Sequence, residues 1–481
     1  MEIRKPKIGL FAGGIECYWV DMSMDELPAR LQQDADRLAA SLDGEVVFPC
    51  LAGNPAQAAE AGAAIREAQC DIAVVYHATF IADDMTIAFL DALGEQIPVL
   101  QLHSQGLKGI PEDFSLIDYG TCYGNNSAIQ VMTTLRRLGR DLKLPLVVGD
   151  LDAPAFQAEI NGWCRAARAV NALKGANVSF LPHWVTSFAL WDTVPDPLTM
   201  YRQTGVKIDF RYVSEVKERM DAVTDAAVGA LVEEIYSSYE VIEPPREEVE
   251  RAARHALALE QLCNDFKIDA LACEPFDQLA KVTGCLPAYE LGRLADLGVV
   301  VTIEGDLQVA VAGLVLKALT GRTGQFFEHL MFDTDKNWIL GGHDGGSTPF
   351  YMAHPDQPIK MRNTMYFDFK KTDFAFDYGV VPEFIVKPGP ITMLNLCQIR
   401  EDENRHAMRI VTGDAIDTPA RPIHMEHTIF QPHMPVTHYY SRLAELTVDH
   451  HFALIHGELE DDLVKMATIM DMEVDCVCTR D

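Results

Sequence analysis

Residues 71–80, DIAVVYHATF, form an almost unbroken apolar run too short for a buried helix and rich in β-branched side chains. Such a run suits a strand covered on both faces. It sits between two helical patterns, NPAQAAEAGAAIREA (54–68) and DDMTIAFLDAL (83–93). On either side the rhythm repeats, with KIGLFAG (7–13) followed by LPARLQQDADRLAASL (27–42), then EVVFPC (45–50), and later IPVLQLHSQ (97–105). Strands alternating with helices predict an open parallel sheet layered by helices, and sheets of that kind bind ligands beyond the carboxyl ends of their strands. Polar side chains stand at those ends: Glu16 after the first strand, His77 after the 71–76 run, and His103 and Gln105 in LQLHSQ.

Beyond APAFQAEINGWCRAARAVNALKG (153–175) the mixed pattern starts again with NVSFLPHW (177–184). Helices are expected at 225–240, 246–266 and 306–321, with strands at 269–275 and 299–305. After about residue 325 short β-type segments broken by Gly and Pro take over, including NWILGGHDGG (337–346), KMRNTMYFDF (360–369) and EFIVKPGPITMLNL (383–396). The expected division is 1–170, an α/β domain; 171–325, a second α/β domain; and 326–481, a mainly β domain or barrel closed by a helix near EDDLVKMATIMD (460–471).

The formal charge of −31 repels nucleic-acid backbones and anionic lipid alike. No stretch of about 18 apolar residues is present to cross a bilayer. A cytoplasmic protein with no nucleic-acid or membrane partner is expected. The eleven cysteines are odd in number and scattered, which argues for reduced thiols. The close pair Cys476 and Cys478 lies in the apolar MEVDCVC run and reads as strand alternation.

Four ionisable groups stand out by position. Glu304 ends the strand-like VVVTIEG and precedes a helix, and Glu328 follows two phenylalanines in GQFFEHL. His343 lies among four glycines in LGGHDGG. His450 and His451 occur in VDHHFALIHGE (448–458), where on residue type alone they serve equally as ligands or as polar surface. Two carboxylates and two imidazoles suit an oxygen-preferring divalent ion, Mn²⁺ or Co²⁺ above a sulfur-loving one, with room to chelate adjacent sugar oxygens.

Several of these stretches in the same order make the chain resemble the L-arabinose isomerase family and the wider group that includes L-fucose isomerases. They are GIECYW (14–19), HATF (77–80), VLQLHSQ (99–105), EPFDQL (274–279), GCLPAYELGRLADLG (284–298), IEGDLQVA (303–310), FFEHL (326–330), ILGGHDGG (339–346) and DHHFALIHGEL (449–459). The resemblance implies a flavodoxin-like N-terminal domain, a central α/β domain and a C-terminal β-barrel. It implies metal ligands at Glu304, Glu328, His343 and His451, with Mn²⁺ as the ion and Co²⁺ or Mg²⁺ as substitutes. Glu304 and Glu328 would be the catalytic pair of an aldose–ketose isomerase working through a cis-enediol. Substrate contacts would come from Glu16, Tyr18, His77, His103, Gln105, Tyr123, Asn125, Phe276 and His450. His456 would cap or solvate the following helix.

The chain also departs from the arabinose-type pattern. GTCYGNN (120–126) places Tyr123 or Asn125 where such members carry a histidine, and Glu16 replaces a common neutral amide. The sugar implied is therefore another pentose, a deoxyhexose or a modified hexose. A homotrimer or homohexamer with pockets at subunit interfaces is also implied. The rival readings are a metal-dependent hydrolase or lyase using the same ligands, and a non-catalytic sugar-binding protein on the same scaffold.

Overall fold

The computed structural model describes residues 3–105, 107–140, 142–181, 190–364, 379–400 and 405–478. The expected strand residues 182–184 and 365–369 lie outside them. Two compact units result: Arg4–Asn171 with Asp461–Asp471, and Ala172–Glu460 with the last strand, Glu473–Cys478.

In the first unit all strands run parallel. Lys7–Gly13 pairs with Glu45–Val47 and Leu51–Ala52 on one side and with Ile72–His77 on the other, followed by Val99–His103 and Leu146–Val148. Counting the two short pieces as one strand, the order is 2-1-3-4-5, the flavodoxin-like arrangement. Strand periodicity explains the continuous apolar runs. Ile8, Leu10, Ile72, Val74 and Tyr76 enter the core on one face, whereas Phe11, Ala73 and Val75 enter the core on the other. On the latter face Phe11 stacks on Phe89 at 4.3 Å, both fully buried. Each such side chain contributes roughly 1.5–3 kcal/mol by leaving water.

The helix Glu460–Met470, which the sequence offers as the close of the third segment, packs in this unit. Ile469 lies against the sheet core, and Lys465 pairs with Glu159 at 3.0 Å while resting over the Trp163 ring.

The second unit holds a parallel sheet in the order Val300–Thr302, Ala270–Cys273, Asn177–Leu181, Lys207–Phe210. Its remaining strands are largely antiparallel. Arg405–Ala415 pairs with Gly389–Arg400, then follow Phe452–His456, Gln325–Asp333, Trp338–Gly342 and Glu426–Pro432, which pairs back to Arg405–Ala415. The pairings thus run round a closed circuit of six strands, an arrangement that leaves these strands without free edges. The helix Leu307–Thr320 packs on strands of both the parallel sheet and this circuit, which explains why every residue from Leu307 to Ala318 is buried. Glu473–Cys478 is indeed a strand, added parallel to Arg405–Ala415, with the Cys478 thiol donating to the Thr412 carbonyl.

Glu426 ties one strand of the circuit to the loop after Trp338–Gly342 by accepting from the amides of Ser347 (2.6 Å) and Thr348 (2.9 Å). Burial pushes its carboxyl up to about 7 against the opposing pull of those amides. The folded chain therefore holds this proton more tightly than the unfolded chain. Its contribution is complete below the ordinary value of 4.5 and is lost as pH rises to about 7. Glu426→Gln is expected to remove roughly 3 kcal/mol of that decline. Denaturant midpoints at pH 5 and pH 8 check this, because wild type should lose more than the variant.

Candidate metal and substrate site

Glu304 follows the strand Val300–Thr302 and has a left-handed backbone, φ +58°, as does Gly305 at +65°. A side chain at Gly305 would meet the Phe180 ring at 2.3 Å, so the chain can turn this tightly only with glycine there. For Glu304 the conformation costs about 1–2 kcal/mol. Strain of this kind is found where a side chain is held for function. Asp306 then caps the helix Leu307–Thr320, accepting from the Val309 amide at 2.8 Å.

Alternation along Gln325–Asp333 supplies the second carboxylate. Phe327 joins the hydrophobic core and His329 bonds to the Tyr439 hydroxyl at 2.9 Å, so Phe326 and Glu328 fall on the opposite face. Phe326 lies against both His343 and His451, with ring centroids 4.9 and 4.5 Å away. His343 follows the strand Trp338–Gly342, whose Gly342 is the register partner of Glu328. Its Nδ1 donates to the Asp344 carbonyl at 2.7 Å, which leaves Nε2 as the lone-pair nitrogen of the neutral ring.

His451 immediately precedes the strand Phe452–His456 and is fully buried. Its Nδ1 lies 3.0 Å from Asp306 Oδ2. Its Nε2 points between Glu304 Oε2 at 3.6 Å and Glu328 Oε2 at 4.0 Å, with no hydrogen bond. Donor atoms of Glu328, His343 and His451 lie within 4.8 Å of one another, and so do those of Glu304, His450 and His451. The four expected ligands come from four separate chain segments, and His451 is common to both groups.

The electrostatics match this clustering. Burial holds the Glu304 carboxyl above its usual range, with His343 opposing and Asp344 and Glu328 reinforcing the shift. Burial also keeps His451 neutral, aided by its imidazole neighbours His343 and His450. For His343 burial opposes protonation, but Asp344, Glu328 and Glu304 outweigh it and raise its pKa. His451 Nε2 and the Glu304 and Glu328 carboxyl oxygens converge with no hydrogen bond made to Nε2. A divalent cation fits that donor set of carboxylates and imidazoles.

The His450 ring lies against that of His451, tilted by 40° with centroids 3.7 Å apart, while its Nδ1 meets Asp192 Oδ2 at 2.6 Å. Burial alone would lower its pKa; the hydrogen bond and charge of Asp192 raise it. Gln308 spans Asp449 and the Asp192 carbonyl, both at 2.5 Å. Phe276 is buried within the short π-type turn Pro275–Leu279. His456 does not cap the following helix: its Nε2 is bonded to the Lys387 carbonyl at 2.8 Å.

Residue-type reasoning missed Asp306, Asp192, Gln308 and Phe326. Asp306 left a local signal, an N-cap aspartate two residues after Glu304. Asp192 left none, because 258 residues separate it from His450.

The remaining candidates belong to the first unit and lie at or after the carboxyl ends of its strands. Glu16 is exposed and accepts from Asn54 Nδ2 at 3.1 Å, and Tyr18 is half-buried. His77 and His103 are register partners at the ends of neighbouring strands. The His77 ring is fully buried with both nitrogens engaged, by Ser127 at 2.9 Å and Gln101 at 2.5 Å, whereas His103 donates to the His77 carbonyl at 2.8 Å. The helix Gly124–Arg137 begins so close to them that a Cβ at Gly124 would lie 1.9 Å from the His77 carbonyl oxygen. Tyr123 stacks on Phe80 and Tyr119, and Gln105 and Asn125 are exposed.

Residues 193–322 match the family model for the L-arabinose isomerase central domain. The L-arabinose isomerase of Shewanella baltica is 25% identical over 313 residues, covering 62% of this chain and 61% of that protein. That of Mycolicibacterium smegmatis is 25% identical over 383 residues, 74% of each. The sulfoquinovose isomerase of Priestia aryabhattai is 20% identical over 228 residues, covering 47% of this chain and 48% of that protein. The matches to the L-arabinose isomerases of Shewanella baltica and Aeromonas salmonicida span 61% and 59% of those proteins' length. The matched central domain contains Glu304, Asp306, Gln308 and Phe276, while Glu328, His343 and His451 lie beyond it. The chain is thus similar to the L-arabinose isomerases, and residues 193–322 are similar to their central domain.

Proposed function

We propose that this protein is a divalent-metal-dependent aldose–ketose isomerase whose metal, Mn²⁺ or failing that Co²⁺ or Mg²⁺, is held by Glu304, Glu328, His343 and His451. The observation that carries the reading is the buried His451 Nε2, without a hydrogen bond, facing both carboxylates. When bound, the ion polarises the carbonyl of an open-chain sugar and acidifies the hydrogen on C2. One glutamate removes the C2 proton, and the C–H electron pair forms the C1=C2 bond of a cis-enediol as O1 takes a proton from the other. The reverse transfers at C1 and O2 release the ketose. A buried carboxyl held above its usual range, as at Glu304, exchanges protons more readily near neutral pH than an exposed one. Asp306 fixes the orientation and tautomer of His451, and Asp192 fixes the ring of His450.

Because Asp306 acts on His451 through one oxygen and on the helix through the other, its two variants should separate. Asp306→Asn keeps an acceptor for Val309 but weakens the hold on His451, lowering metal affinity about 10–100-fold. Asp306→Ala adds a loss of about 1 kcal/mol in stability through the missing cap. Calorimetric metal titration and thermal denaturation check the pair.

The substrate is an aldose other than L-arabinose, either a pentose, a deoxyhexose or a modified hexose, met by Tyr123, Asn125 and Glu16 among its contacts. The protein assembles as a homotrimer or homohexamer, a reading supported by the exposed apolar run Leu330, Met331 and Phe332 on a strand of the closed circuit. The test is ketose formation from a panel of pentoses, deoxyhexoses and sulfonated hexoses, with Mn²⁺ and after chelation. Conversion of one sugar that stops on chelation supports the reading. Metal-loaded protein that converts none overturns it.

A further inference from the structure

Away from the residues of that site, His255, Cys285 and Glu290 come together with no exposed surface on any of them. His255 lies on the helix Arg246–Phe266, Glu290 in the first turn of the helix Tyr289–Asp296, and Cys285 in the loop before it. That loop is pinned by the Thr283 hydroxyl, which donates to the Cys285 carbonyl at 3.1 Å, and by Arg251, which donates to the Gly284 carbonyl at 3.0 Å. The Cys285 thiol donates to Glu290 Oε1 at 3.3 Å, and His255 Nδ1 lies 3.4 Å from the same oxygen. All three donor atoms lie within 4.8 Å of one another.

Neither ring nitrogen of His255 makes a hydrogen bond, and neither does Glu290 Oε2. An imidazole and a carboxylate left so poorly satisfied in a dry interior are costly. We propose that His255, Cys285 and Glu290 form a second metal site, for a zinc-type divalent ion, that joins these two helices. A tetrahedral ion with bonds of about 2.0 Å to nitrogen and oxygen and about 2.3 Å to sulfur holds its donors about 3.3–3.6 Å apart. The observed 3.3 and 3.4 Å spacings are of that size.

Charge balance favours the same ion. Binding replaces the Cys285 S–H bond with a sulfur–metal bond and releases one proton to solvent. A dication with one thiolate, one carboxylate and a neutral imidazole then sums to zero, which suits a fully buried position. Sulfur distinguishes this donor set from that of Glu304, Glu328, His343 and His451, so the two sites can be read apart in one molecule.

The experiment is to express the full chain in cobalt-supplemented medium, so that the buried site fills during folding, and to record its near-ultraviolet spectrum and metal content. A sulfur-to-cobalt charge-transfer band is expected, and Cys285→Ser should abolish it with the loss of one ion per chain. A cobalt-loaded wild type without that band, or a band that persists in Cys285→Ser, overturns the proposal. If Cys285→Ser does not fold, X-ray absorption at the zinc edge of zinc-grown wild type decides. A sulfur neighbour at about 2.3 Å supports the site, and nitrogen and oxygen neighbours alone overturn it.

Discussion

Glu304→Gln should lower turnover by on the order of 10²–10⁴-fold while leaving the protein folded, and Glu328→Gln should do the same. Glutamine preserves the shape of each side chain but cannot take a proton from carbon or return one to oxygen. The loss must therefore persist at saturating metal, even though each variant also weakens metal binding. Glu304 offers a sharper control because of its left-handed backbone. Glu304→Gly relieves the cost of a side chain at φ +58° and should be at least as stable as the parent, yet inactive. Thermal denaturation beside kcat measures both. A Glu304→Gly protein that is markedly less stable would mean that the strained turn is structural in origin.

The second large effect concerns the paired histidines. His451→Asn removes the Nε2 that faces both carboxylates and also the partner of Asp306, so metal affinity should fall by about a hundredfold or more, beyond the range of an outer-shell change. His450→Asn removes a ring that lies against His451 and bonds to Asp192, and metal affinity should fall by about tenfold or less. Metal titration of the two variants side by side gives the order. If His450→Asn proved the more damaging, the ligand set drawn from Glu304, Glu328, His343 and His451 would be wrong.

The parallel sheet of the first unit was legible because strands buried on both faces need continuous apolar runs, and DIAVVYHATF is one. Glu304 was legible for a related reason: a strand, a glycine-assisted turn and a capped helix follow one another locally in VVVTIEGDLQ. Pairing across long separations was not. Nothing in residues 325–456 announces that Arg405–Ala415 pairs on both sides and closes a six-strand circuit, because register depends on partners distant in sequence. The helix Glu460–Met470 carries an ordinary amphipathic pattern that does not name the core receiving it, and its partner Trp163 lies some 300 residues away. The Asp192–His450 bond was hidden by the same separation. Polar partners of this kind carry no periodicity, so residue types show which groups can do chemistry more readily than which groups hold them.

Proton NMR of the Mn²⁺-loaded protein in D₂O with the sugar it converts tests the central claim most directly. Deuterium should enter the carbon next to the carbonyl as the ketose forms, and Glu304→Gln and Glu328→Gln should each suppress that exchange. Ketose formation without deuterium entry, or exchange at the wild-type rate in both variants, would contradict proton transfer by this carboxylate pair.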